Sequence, residues 1–71
     1  MNPDLSIKLE NKVSIVQECN MSMQKKGLSE EDKNYTLKMH SHYLSEIKIL
    51  IERHPELAQH PALFKIESSL N

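Results

Sequence analysis

Four histidines, one cysteine and one acidic run are the residues of this chain whose types could do chemistry. His40 and His42 stand two positions apart, so on a helix they point about 200° from each other and cannot share a metal ion. His54 and His60 each precede a proline, where they can cap or flank turns, and Glu56 beside them completes the set from which a metal site would have to be built. No group of cysteines and histidines has the spacing of a zinc site. Cys19 would need a lowered pKa and a positioned base to act as a nucleophile, and no cysteine–histidine pairing is visible. Glu30, Glu31 and Asp32 open a helix, where the dipole already accounts for acidic residues. With a single glycine there is no phosphate-cradling loop, and Tyr35, Tyr43 and Phe64 are too scattered for a base-stacking platform. No catalytic residue, metal or cofactor emerges, and the expectation is a non-enzymatic protein.

The 71 residues make one domain, 1–71, near the size at which a lone core supplies only roughly 3–5 kcal/mol. One cysteine excludes an internal disulfide, which leaves oligomerisation as the usual route to extra stability. Nine Lys/Arg against ten Asp/Glu give a net charge of −1, without the basic excess of a nucleic-acid binder. No apolar run is long enough to span a membrane, and Asp4 interrupts any secretory n-region, so a cytoplasmic location is expected for a chain with one free cysteine.

These side chains must be positioned by helices, because alternating β-branched runs do not occur. Asn2-Pro3-Asp4 announces a helix over about residues 3–26, with Asn2 as N-cap, Pro3 at the first helical position and Asp4 at the positive dipole end. Leu5, Leu9, Val13, Val16, Cys19 and Met23 form a stripe about 120° wide, with Lys12 and Asn20 intruding on it. Gly27 stands where a left-handed C-cap belongs, and residues 27–29 form the turn. Ser29 and Asp32 have capping-box spacing, and a helix over about 30–53 follows until His54-Pro55 stops it. A connection this short makes the two helices an antiparallel hairpin. The pattern x-Pro-x-Leu recurs at Asn2, His54 and His60, marking helix starts. It predicts a short helical tail over about 55–69, whose Leu57, Leu63, Phe64, Ile66 and Leu70 pack over one end of the hairpin.

The second helix carries an apolar arc about 160° wide, through Met39, Leu50, Tyr43, Ile47, Ile51, Leu44 and Leu37. Its seam also holds Thr36, His40 and His54. The first helix covers roughly half of that arc. A partner is therefore expected on Leu37, His40, Tyr43, Leu44, Ile47, Leu50 and Ile51, either a second copy forming a four-helix bundle or a helical partner protein. Met21, Met23 and Met39 near the hairpin tip would suit an adaptable contact surface. Charging His40 and His54 near about pH 6 would weaken whatever packs on the seam. The fold class expected is all-α: an antiparallel two-helix hairpin with a short C-terminal helical segment, dimerising into a bundle. The function expected is a small interaction module, an adaptor, chaperone or regulator. The alternative is a small helical transcription or nucleic-acid-associated regulator.

Two stretches carry a likeness to known hairpin families. Lys33-Asn34-Tyr35 followed by Tyr43-Leu44-Ser45-Glu46-Ile47-Lys48-Ile49-Leu50 resembles the small chaperones of type III secretion needle subunits, which implies a helical protein partner. Ser41-His42-Tyr43-Leu44-Ser45 is similar to the Ser-Gln-x-Leu-Asp signature of the sporulation aspartyl-phosphate phosphatases, with Ser45 at the aspartate position. Neither likeness reaches past His54.

Overall fold

The computed structural model describes residues 3–70, apart from the side chains of Ser68 and Leu70. Among them lie two long helices, α1 over Pro3–Met23 and α2 over Glu30–Arg53. Two 3₁₀ segments follow, Pro55–Gln59 and Pro61–Ile66, and then α3, a single turn over Glu67–Leu70. The hairpin predicted from the short connection is present: α1 and α2 pack against each other along their length. At about 1.5 Å per residue, the 24 residues of α2 account for most of the 42 Å long axis.

Local signals set the bounds of α2. Ser29 has extended backbone angles, and its Oγ accepts the Asp32 N–H at 3.1 Å, satisfying one of the amides that a helix start leaves unpaired. Glu30, Glu31 and Asp32 place three carboxylates at the positive end of the dipole. At the other end, His54 leaves helical angles before Pro55 while its N–H still reaches Leu50 O at 2.9 Å. Of the signals expected at the start of α1, Pro3 and Asp4 are in place; Asn2 lies outside the described residues.

The end of α1 differs from the expectation. The helix stops at Met23 rather than near residue 26, and residues 24–29 form the connection. After Met23 the next apolar residue is Leu28, so nothing remains to hold a further turn against α2. The bonds tighten to Gln24 N–H with Met21 O and Lys25 N–H with Ser22 O. Gly27 keeps the predicted left-handed conformation, φ +85°, but four residues beyond the helix end, within the turn itself.

The tail departs from expectation in path and in form. It runs along the groove between α1 and α2 rather than over one end. His60 meets Ser6 near the start of α1, and Ser69 meets Asn20 fourteen positions later, about 20 Å along the helix. One core results, built from Leu9, Val13 and Val16 of α1, Ile47 of α2, and Leu57, Ala62, Leu63 and Ile66 of the tail. Phe64, expected inside, is 71% exposed. Leu63 and Ile66, three positions apart, share the inward face, and Phe64, one residue after Leu63, is turned about a third of a revolution outward. The side chain of Leu70, also expected to pack, lies outside the described residues.

Candidate functional site

The tail makes a third side to the hairpin, and this decides which expected partner-binding residues remain accessible. Ile47 is fully buried. It meets this chain's own tail instead of a second molecule. Tyr43, Leu44, Leu50 and Ile51 are half-buried and pack against the same core. His40 is half-buried, with its Nε2 3.4 Å from Ser69 Oγ. Of the seven, Leu37 alone is exposed, at 52%. It lies one helical turn from His40, toward the hairpin tip.

Apolar exposure gathers at that tip. Met21, Met23, Tyr35 and Leu37 are all exposed there. Met23 and Leu37 share a shallow slot of about 190 Å³ with Lys33, its lining mostly apolar. Met21 borders a separate depression with Glu18, Ser22 and Lys25. Ile7, Ile49 and Phe64 are exposed elsewhere and belong to neither hollow.

The two polar residues that intrude on the α1 stripe have found partners on other elements. Lys12 Nζ donates to Glu46 Oε2 at 2.8 Å and lies 6.0 Å from the centroid of the Tyr43 ring. His42 joins from the next turn of α2, its Nε2 3.3 Å from Glu46 Oε1 and its ring set edge-on to Tyr43. The Lys12 hydrogen bond holds the Glu46 carboxyl below its ordinary value, with burial opposing and the charges of Lys12 and His42 assisting. Asn20 donates through Nδ2 to Ser69 Oγ at 3.0 Å. A lysine or asparagine inside an apolar stripe was thus the sequence signal for a cross-element contact. Sequence alone could not say with which residue, because the partners are 34 and 49 positions away.

His60 has the most constrained environment of the four histidines. Its Nδ1 accepts the Ala62 N–H at 3.0 Å, capping the second 3₁₀ segment, while Nε2 lies 2.7 Å from Ser6 Oγ. The expectation that a His-Pro histidine caps a turn is met here. The pair has the spacing of a serine–histidine dyad but the wrong proton arrangement. Because Nδ1 is an acceptor, the neutral ring carries its hydrogen on Nε2 and donates it to Ser6, so Nε2 has no lone pair with which to activate the hydroxyl. Cys19 is equally unsuited to nucleophilic chemistry in this fold. It is buried, and burial, assisted by Glu18, pushes its thiol above the ordinary range, away from the reactive thiolate.

Metal chemistry has no assembled ligand set among the described residues. His54 Nδ1 is 3.9 Å from Glu56 Oε1, but His60 turns toward Ser6 and Glu10 on α1 and does not join them. Ser41 and Ser45, in the stretch similar to the phosphatase signature, are both exposed on α2. No helix among the described residues is long and apolar enough to cross a membrane. The chain matches no protein-family description, no curated protein and no solved structure.

Proposed function

We propose that this chain is a small, non-enzymatic protein-interaction module, working in the cytoplasm through the part of the α2 face that its own tail leaves uncovered. The observation that carries this reading is the exposure of Leu37 beside Met23, in a slot walled by apolar side chains at the hairpin tip. A half-exposed leucine gains on the order of 1 kcal/mol when a partner finishes burying it. Methionine beside it adapts to the shape of what arrives. Self-association is the form favoured by size, since a domain of this length gains most from a second core. A four-helix bundle built on the centre of α2 would require the tail to leave, because Ile47 is already fully covered. A dimer through the tip does not.

Sedimentation velocity on the wild type and on Leu37→Asp tests the reading, together with a pull-down from native extract using both forms as bait. The expected result is an associated wild type, or a captured protein, that Leu37→Asp loses while circular dichroism stays helical. A folded monomer that captures nothing, or binding indifferent to Leu37→Asp, would refute it.

A further inference from the structure

We propose that His60 is a proton-operated latch on the C-terminal tail: the docked tail requires the neutral imidazole with its hydrogen on Nε2, and proton uptake at Nδ1 releases the segment that His60 caps. Two contacts fix that tautomer. Nδ1 accepts from Ala62 N–H at 3.0 Å, which demands a lone pair there, and the remaining hydrogen on Nε2 points to Ser6 Oγ at 2.7 Å. A protonated ring carries N–H at both positions. Its Nδ1–H then confronts the Ala62 N–H, donor against donor, and the cap is lost.

The ring is 10% exposed, so bulk water reaches it only through the groove beside it. The groove containing the ring is lined by Glu10, Asn11, Val13 and Ser14 from α1 and by Pro61, Ala62 and Lys65 from the tail. Its charged members oppose each other. Glu10 Oε1, 3.8 Å from Nε2, favours a charged ring, and Lys65 disfavours one. Glu10 stands on the Nε2 side and cannot accept from Nδ1. A proton therefore strengthens a half-exposed ion pair and removes the hydrogen bond that starts the second 3₁₀ segment.

The latch has leverage because the segment it caps carries Ala62, Leu63 and Ile66, three of the core residues. The same hydrogen-bonded residue also ties the tail to α1 through Ser6. His40 lies too far along the groove to substitute, since it contacts Ser69 near the other end of the tail.

The test is amide-exchange protection of the full chain, corrected for intrinsic exchange, at about pH 7.5 and about pH 5, on either side of the range where histidine changes charge. The wild-type amides of Leu63 and Ile66 should lose about tenfold in protection at the lower pH, the scale of one lost N-cap. In His60→Asn, whose side-chain oxygen caps without titrating, they should not. In parallel, ring-nitrogen NMR shifts of His60 should report the Nε2–H tautomer at the higher pH and double protonation over the interval in which protection falls. Equal wild-type protection at both pH values, an equal loss in His60→Asn, or release of the tail while the His60 ring stays neutral would each overturn the proposal. Should His60→Asn fail to dock its tail at either pH, the ring-nitrogen titration of the wild type decides alone.

Discussion

Replacing Ile66 by alanine isolates what the tail contributes to the fold. Ile66 is fully buried and belongs to the second 3₁₀ segment, which packs on α1. Truncation removes three carbon atoms and leaves a cavity where the tail meets the hairpin. The cost should be about 3 kcal/mol, within the span seen for buried isoleucine-to-alanine changes. A chain of 71 residues has a total stability on the order of 4–10 kcal/mol. With an urea slope of about 1 kcal/mol/M for a protein this small, the midpoint should fall by roughly 3 M. Urea melts followed by circular dichroism read this directly. Phe64→Ala is the internal control. It lies in the same segment, two positions away, yet is 71% exposed, and should change stability by no more than about 0.5 kcal/mol. Equal effects of the two substitutions, or a loss below about 1 kcal/mol for Ile66→Ala, would mean that the tail does not complete the core in solution.

Two further outcomes follow from single residues. Gly27→Ala should destabilise by about 1–2 kcal/mol in a thermal melt, through the left-handed backbone alone, because nothing lies within 4 Å of the added methyl group. Lys12→Met should return the Glu46 carboxyl to its ordinary titration range, seen by carboxyl-carbon NMR, since the Lys12 hydrogen bond is the main cause of its lowered value. The sign is that of a carboxylate favoured in the folded state. The pair contributes in full above the unfolded glutamate value of about 4.3, and the contribution is lost as pH falls through the lower folded value.

Much of the frame was legible in the residues themselves. Ser29 and His54-Pro55 bounded α2 at the positions observed, and Gly27 announced the one left-handed backbone among the described residues. These are short-range effects: a cap, a proline and a glycine act within one turn of chain. Pro55 and Pro61 likewise marked the starts of the two tail segments. The tail's inward face was legible only in part, because every large apolar residue was expected to pack inward, while Phe64, about a third of a turn from Leu63, lies on the outer side.

The sequence by itself therefore determined an all-helical hairpin with a broad apolar face on its second helix, since periodicity and capping are properties of neighbouring residues. Only the tertiary structure decided what covers that face. Residues 55–70 return along the groove, bury Ile47 and leave Leu37 outside. That outcome rests on contacts such as Ser6–His60 and Asn20–Ser69, between residues about 50 positions apart, whose pairing is fixed by packing and by no local pattern.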